Sequence, residues 1–189
     1  MTKPPLESPV PKNAKREKKG LIMVHTGDGK GKTTAALGLA MRSAGNKMKV
    51  FMVQFIKGAW KYGELAAAEK LAPYFEMKPM GEGFTWDTQN RARDIEMTQK
   101  AWDFGKEKMM SSDYELVIFD EINYVIDYQY LDAATVIEAL RAKPEKVHVL
   151  LTGRNAHPDI VALADMVTEM KDIKHPFKQG IIAQKGIEF

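Results

Sequence analysis

The sequence contains no cysteine, which excludes disulfide bonds, thiolate nucleophiles and metal sites built from thiolates. It also lacks any apolar run approaching the roughly 20 residues that span a bilayer. No apolar segment typical of a signal peptide follows Met1. We therefore expect a cytoplasmic protein that does not enter the membrane.

The net charge of +3 on 189 residues is small, but it is unevenly distributed. Residues 1–20 carry six basic and two acidic side chains, so the rest of the chain is slightly acidic. A slightly acidic body argues against a nucleic-acid partner, which would need a basic stripe across the domain. We interpret residues 1–19 as a basic, proline-containing flexible arm, either a solvated tail or a cover over an anionic ligand. Residues 20–189 are long enough for a single α/β domain.

A glycine-rich stretch at residues 26–34 organises that domain. An apolar run at 21–24 leads into it and a helix-forming run at 35–41 leads out, which is the context of a phosphate-binding loop. Glycines allow backbone N–H groups to face a phosphate, and the helix start adds partial positive charge. We expect Lys32 to reach the terminal phosphates and Thr33 to ligate Mg²⁺.

The loop departs from the usual pattern at its first position, where Thr26 replaces glycine and the glycine is displaced to Gly27. We interpret this as a variant loop that still binds phosphate. The residues expected to contact the phosphates of ATP here are Thr26, Gly27, Asp28, Gly29, Lys30, Gly31, Lys32, Thr33 and Thr34.

Strand and helix signals alternate after residue 20, which predicts a P-loop NTPase-like (RecA-like) α/β fold. The sheet should be mostly parallel, with helices on both faces. The apolar runs predict strands at 21–25, 49–55, 74–77, 115–119, 147–151 and 166–170. Helices are predicted from the loop to about 43, at 65–71, 87–110 and 131–142, and from Pro158. On the helix predicted at 87–110, we expect Ile95, Trp102 and Met109 to share one apolar face.

Two acidic residues, Asp120 and Glu121, follow the apolar run of the predicted fourth strand. A carboxylate at the end of a buried strand beside a phosphate loop holds Mg²⁺ directly or through water. We expect this pair to serve the metal, and which of the two contacts it stays open.

Several other charged side chains follow predicted strands, where open α/β sheets bind ligands. Arg154 is the best candidate for a phosphate contact, because it follows Thr152 and Gly153 directly after a buried strand. Lys57, Lys174 and Lys178 are each better interpreted as solvated charges. The four histidines do not show the spacing of a metal site.

Phe84 and Trp86 lie in a glycine-flanked loop at 81–89. Two large aromatic side chains in such a loop must pack or meet a ligand. Their sequence context leaves both roles open, a packing role or contact with a flat, bulky substrate.

Taken together, these motifs resemble the P-loop ATP:corrinoid adenosyltransferases, the family of cob(I)yrinic acid a,c-diamide and cob(I)alamin adenosyltransferases. The resemblance covers residues 20–189. It is carried by TGDGKGKTTA at 26–35, VQFIKG at 53–58, GEGFTWDTQ at 81–89, IFDEINY at 118–124, LTGRNAHP at 151–158 and KHPFKQGIIAQKGIE at 174–188. The displaced glycine fits as well, because this family places its glycine in the same way.

The resemblance implies transfer of the 5′-deoxyadenosyl group of ATP to the cobalt of a reduced corrinoid in cobalamin biosynthesis, with release of tripolyphosphate. It implies that ATP lies reversed in the loop. It also implies catalytic roles for Lys32, Thr33, Phe84 and Trp86. The two aromatic residues would fill the space beneath the corrin, displace its lower ligand and ease reduction to Co(I).

The resemblance further implies Mg²⁺ as the cofactor, with Mn²⁺ as an alternative ion. The family forms homodimers in which an N-terminal segment covers the partner's active site, and the arm at 1–19 could do so here. A flavoprotein-type reductant would supply Co(I). Two alternatives from other classes are an ATPase whose basic arm binds DNA and a small-molecule kinase, which would release ADP.

Overall fold

The computed structural model describes residues 19–58, 63–83 and 90–188, and the structural statements below concern those residues. Its strands are β1 (Ile22–Thr26), β2 (Val50–Gln54), β3 (Phe75–Pro79), β4 (Leu116–Asp120), β5 (His148–Thr152) and β6 (Met166–Glu169). They form one sheet in the order β3-β2-β4-β5-β1-β6, and every pairing is parallel. All the predicted strands are present, with ends within one or two residues of those expected.

The helices connect these strands and cover the sheet. They are α1 (Lys32–Gly45), α2 (Gly63–Lys70), α3 (Arg91–Ser111), α4 (Ile122–Asp127), α5 (Ala133–Ala142) and α6 (Pro158–Leu163), with a 3₁₀ turn at Pro176–Gln179. The short helix α4 is absent from the sequence prediction, because six residues are too few to show a helical period. The expected start of α3 at Asp87 lies outside the described residues.

The sheet is packed on both faces, as its apolar strands predict. Side chains alternate across a strand, so Val117 and Phe119 of β4 pack with α3, α4, α5 and α6. Leu116 and Ile118 of the same strand pack with α1 and α2 on the other face. The prediction of a parallel α/β sheet covered by helices on both faces is confirmed.

Helix α3 contacts the sheet through its middle and its second half. Trp102 and Met109 are buried as predicted, but the expectation for Ile95 is wrong, since that side chain is 38% exposed. The buried residues of α3 begin only at Thr98, so the first turns of the helix precede the part that packs. Gly105 lies at the contact itself, where an added Cβ would come within 2.7 Å of the Phe119 ring and 2.9 Å of Val53.

The all-parallel arrangement brings the carboxyl ends of the strands to one edge of the sheet, where α/β proteins bind ligands. Strand β1 lies between β5 and β6, so the loop after β1 is flanked by the segments that follow both neighbours. Within the described ranges, no helix is long and apolar enough to cross a membrane.

Gly105 provides a test of this packing. Gly105→Ala should lower the free energy of unfolding by about 1–3 kcal/mol, because the methyl group overpacks the contact with Phe119. The matched control is Gly38→Ala on the exposed side of α1, where nothing lies within 4 Å of the added Cβ. That control should raise stability by about 0.5–1 kcal/mol, since alanine favours helices over glycine. Urea denaturation of both variants measures this, and equal effects would contradict the close packing.

Candidate functional site

The phosphate loop occupies residues 27–31, between the end of β1 and the start of α1. Gly31 is the residue before the helix and has a φ of 108°, a conformation that favours glycine. Lys32 follows it and is almost fully buried. The predicted order of strand, glycine-rich loop and helix is therefore present, and it aims the helix start at the carboxyl edge of the sheet.

The backbone at Met170 and Lys171, directly after β6, packs against the phosphate loop. The Gly29 N–H donates to the Met170 carbonyl at 2.7 Å, so this N–H already has a partner within the protein. A Cβ at Gly27 would lie 2.4 Å from the Met170 carbonyl oxygen, and one at Gly29 would lie 2.7 Å from the backbone of Lys171. The two glycines are thus explained by the close approach of another backbone, which sequence reasoning did not anticipate.

The Lys32 side chain crosses the loop. Its ammonium donates to the carbonyl oxygens of Gly27 at 2.7 Å and Gly29 at 2.8 Å. Burial lowers the pKa of Lys32, while the nearby Glu121 raises it. Arg154 also reaches the loop, where its guanidinium donates to the Asp28 carbonyl at 3.3 Å. The structure therefore brings Arg154 to the loop that Lys32 crosses, and both side chains are predicted to bind phosphate.

Asp120 is fully buried and receives donors from several elements. Thr33 Oγ1 donates to Asp120 Oδ1 at 2.9 Å, and Thr152 Oγ1 donates to the same oxygen at 2.7 Å. Gln54 Nε2 donates to Oδ2 at 2.9 Å. A buried carboxylate must be compensated in this way, because burying an unpaired charge is costly. The predicted partners Thr33 and Asp120 are therefore in direct contact.

Sequence reasoning missed Gln54 and Thr152. The available signal was a polar residue at the last position of each of two strands, β2 and β5, directly after a run of apolar residues. Gln54 pairs with Asp120 across the ladder between β2 and β4, so its side chain has a fixed partner. Both residues serve to hold the Asp120 carboxylate.

Glu121 lies beside this cluster with a φ of 66° and precedes helix α4. Its N–H donates to Thr152 Oγ1 at 2.9 Å. Burial, and then the neighbouring Asp120, raise the pKa of Glu121 to about 7, while Lys32, Lys57 and Arg154 act in the opposite direction. Glu121 is therefore close to the cations of the loop.

The donor set fits a hard divalent cation. The Thr33 hydroxyl and the carboxylates of Asp120 and Glu121 offer oxygen atoms only, and Mg²⁺ prefers oxygen. Among the described residues, no group of three histidine, cysteine, aspartate or glutamate side chains could hold a metal by itself. A metal here would thus share its coordination between the protein and the phosphates of a nucleotide, as Mg²⁺ usually does.

Other predicted residues lie around this centre. Lys57 pairs with Glu64 at 2.5 Å, Lys30 with Glu188 at 3.2 Å and Lys178 with Asp172 at 2.6 Å. Thr26 Oγ1 accepts from the Ala156 N–H at 3.1 Å. Thr34 is exposed at the start of α1.

Phe84 and Trp86 lie outside the described residues. The base of their loop is described, and it lies at the end of β2. The Gly83 N–H donates to the Ile56 carbonyl at 3.0 Å, and a Cβ at Gly81 would lie 2.3 Å from the Ile56 backbone. The loop that carries the two aromatic residues therefore starts beside the strand that supplies Gln54.

The pKa of Glu121 predicts a pH-dependent stability. The raised pKa means that the folded protein binds more protons than the unfolded chain between pH 4.5 and about 7. The contribution of Glu121 to the free energy of unfolding is fully present below pH 4.5 and is lost as the pH rises through about 7. Without ligands, the free energy of unfolding of wild type should therefore fall by at most about 3 kcal/mol relative to that of Glu121→Gln between pH 4.5 and 8. Urea denaturation at several pH values measures the difference, and a constant difference would contradict it.

Asp165 provides a control, because its contribution to stability should depend on pH in the opposite direction. Hydrogen bonds from Lys19 and the Ile22 N–H lower its pKa, so its contribution is lost as the pH falls. The stability of Asp165→Asn should therefore approach that of wild type at low pH.

Comparisons with known proteins identify the family to which this chain is similar. Residues 18–189 match the family described as ATP:corrinoid adenosyltransferase BtuR/CobO/CobP. A corrinoid adenosyltransferase of Sinorhizobium sp is 49% identical over 177 residues, which cover 93% of this chain and 83% of that protein. Those of Pseudomonas aeruginosa and Escherichia coli K12 are 44% and 43% identical over 174 residues, covering 92% of this chain and 86% and 88% of theirs.

Among solved structures, the flagellar accessory protein FlaH of Methanocaldococcus jannaschii aligns with 79% of this chain and 70% of its own, at 15% identity and a TM-score of 0.46. That score is too low to support an argument. The fold assignment therefore depends on the sheet order and the phosphate loop of this chain.

Proposed function

Because this chain belongs to the ATP:corrinoid adenosyltransferase family and is thus an adenosyl-transferring enzyme, we propose that it joins the 5′-deoxyadenosyl group of ATP to Co(I) of a reduced corrinoid. The products would be an adenosylcorrinoid and tripolyphosphate. The observation that supports the ATP half most directly is the contact of Thr33 with Asp120, beside a lysine that crosses the phosphate loop.

The proposed step is a nucleophilic displacement at carbon. The electron pair of Co(I) forms the Co–C bond to C5′ of ATP, and the C5′–O bond breaks with its electrons going to the tripolyphosphate oxygen. Co(I) is itself a strong nucleophile, so the step needs no general base. The protein must bring cobalt and C5′ together and stabilise the charge that develops on the leaving group.

Residues of the loop are suited to that second task. Lys32 would exchange the carbonyl oxygens of Gly27 and Gly29 for phosphate oxygens, and Arg154 would add a further positive charge. Thr33, with Asp120 or Glu121, would hold Mg²⁺, for which Mn²⁺ is an alternative. When bound, the ion would neutralise charge on the departing tripolyphosphate.

The remaining roles concern the corrinoid and the assembly. Phe84 and Trp86 would lie beneath the corrin ring, displace its lower ligand and leave four-coordinate cobalt, which is easier to reduce. We also propose a cytoplasmic homodimer in which the arm at 1–19 covers the partner's site, and a flavoprotein as the source of electrons. The position of the loop base supports the role proposed for the two aromatic residues. The loop starts beside the end of β2, and β2 ends next to Asp120.

The reaction can be tested by anaerobic incubation with MgATP and chemically reduced cob(I)alamin. We expect a light-sensitive product with a Co–C bond, whose formation is monitored by absorbance. One tripolyphosphate should be released per adenosyl group transferred. Lys32→Ala serves as the control for phosphate binding and should lose most of the activity. Release of ADP and phosphate without an alkylcobalt product would contradict the proposal and favour an ATPase or a kinase.

Trp86→Ala distinguishes the adenosyltransferase from an ATPase or a kinase. Lys32→Ala does not, because it would damage all three activities. In an assay that starts from cob(II)alamin with a reduced flavoprotein, we expect the Trp86 variant to lose corrinoid adenosylation by at least about 10-fold while retaining its affinity for MgATP. Loss of the aromatic surface should leave the lower ligand on cobalt and hinder reduction. Titration calorimetry with MgATP provides the binding control, and normal adenosylation by this variant would overturn the role of Trp86.

A further inference from the structure

We propose that strand β6 pairs with β6 of a second copy of this chain, in antiparallel order and centred on Thr168. The strand lies at the edge of the sheet, and within the described residues it pairs with β1 alone. An exposed edge strand is a surface on which another chain can add a strand. The inference names the contact surface of the homodimer proposed above, and it rests on the proposed function only where it concerns the active site.

Strand β6 is exposed along its whole length. All four of its residues are exposed, whereas every residue of β2 and β4 is buried. Its apolar side chains Met166 and Val167 are 45% and 41% exposed. Parallel sheets are normally covered on both faces, so β6 lacks the cover that the rest of the sheet has within the described part of the chain.

The segment that follows β6 adds apolar surface. Its exposed apolar side chains include Ile173, Phe177, Ile181, Ile182 and Ile187. A strand of four residues buries too little by itself, because a stable dimer needs roughly 1,200–2,000 Å² of buried surface in total. The apolar side chains after the strand can supply the additional area.

The sequence from Asp165 to Lys171 is complementary to itself in antiparallel order. When Thr168 lies opposite its own copy, Asp165 lies opposite Lys171 of the second copy, and Met166 lies opposite Met170. Opposite charges and apolar side chains that face each other across two strands stabilise a sheet. This stretch therefore fits a second copy of itself as its partner.

The charges also select the register. Centring the pairing on Val167 would place Asp165 opposite Glu169, and centring it on Glu169 would place that residue opposite its own copy. Both registers oppose like charges, which is destabilising. Lys171 is exposed and lies 3.7 Å from Glu169, so its ammonium can turn to a carboxylate of the second copy. The register centred on Thr168 is therefore favoured over both neighbours.

This pairing would place the end of each arm beside the phosphate loop of the other chain. Lys19, the last residue of the arm, pairs with Asp165 at 2.5 Å, directly before β6. Asp165 comes to lie opposite Lys171 of the other copy, whose backbone packs against Gly29 of its own loop. Within one chain, the five residues of β1 separate the arm from the loop by about 17 Å. The interface thus supports the proposed cover of each site by the partner's arm.

Single cysteines can test the pairing, because the chain contains none. Thr168→Cys should form an intermolecular disulfide on mild oxidation, since Cβ atoms directly opposite on antiparallel strands lie about 4.5–5.5 Å apart. The matched control is Met166→Cys, which is exposed on the same face of the same strand. Its own copy would lie four residues away, at about 13 Å, which is too far for a disulfide. Non-reducing electrophoresis should show cross-linked dimer at least about 10-fold faster for Thr168→Cys.

Charge substitutions test the same register without oxidation. Wild type should sediment as a dimer. Thr168→Lys and Thr168→Glu should each weaken the dimer by at least about 10-fold in Kd, because like charges would face each other, and mixing the two variants should restore it. The matched controls are Ala134→Lys and Ala134→Glu at an exposed position of α5, which should leave the dimer unchanged.

A monomeric wild type, or a dimer that tolerates both charges at Thr168, would overturn this interface. Equal cross-linking of the two cysteine variants would also overturn it, because it would show only random encounters between chains. These measurements need neither ATP nor a corrinoid. The proposed reaction could therefore fail while the interface stands, or hold while the interface fails.

Discussion

The buried Asp120 carboxylate is the constraint on which the rest of the site depends. Three elements supply its donors: the hydroxyl of Thr33 from α1, that of Thr152 from β5 and the amide of Gln54 from β2. A buried carboxylate without hydrogen-bond donors would cost several kcal/mol, so these three elements must converge on Asp120. The same convergence places the end of the phosphate loop against the end of β4, which is the arrangement that MgATP requires.

The phosphate loop is also shaped by the last strand of the sheet. Because β6 lies beside β1, the backbone at Met170 and Lys171 passes against the loop and accepts the Gly29 N–H. Side chains at positions 27 and 29 would collide with that backbone, which accounts for glycine at both. This contact makes the C-terminal segment part of the candidate site, although it follows the loop by more than 130 residues in the chain.

The strands and the site motifs could be predicted from sequence because local patterns determine them. Apolar runs buried on two faces identify the strands, and residues 26–34 and Asp120 lie at strand ends in the order that a phosphate site needs. Contacts between distant segments could not be predicted. Gly105 reads as a weak point in a helix until its approach to Phe119 is known, and Gln54 reads as a strand residue until β2 is paired with β4. Ile95 fits the helical period but lies before the part of α3 that packs.

Isotope labelling can show whether the bond between C5′ and oxygen breaks, as proposed. ATP carrying ¹⁸O at the oxygen that joins C5′ to the α-phosphate would be incubated anaerobically with the enzyme and cob(I)alamin, and the products analysed by mass spectrometry. We expect all the label in tripolyphosphate, with one ¹⁸O per adenosyl group transferred. Label retained in ADP, AMP or adenosine would show that a phosphorus–oxygen bond breaks instead, and would contradict it.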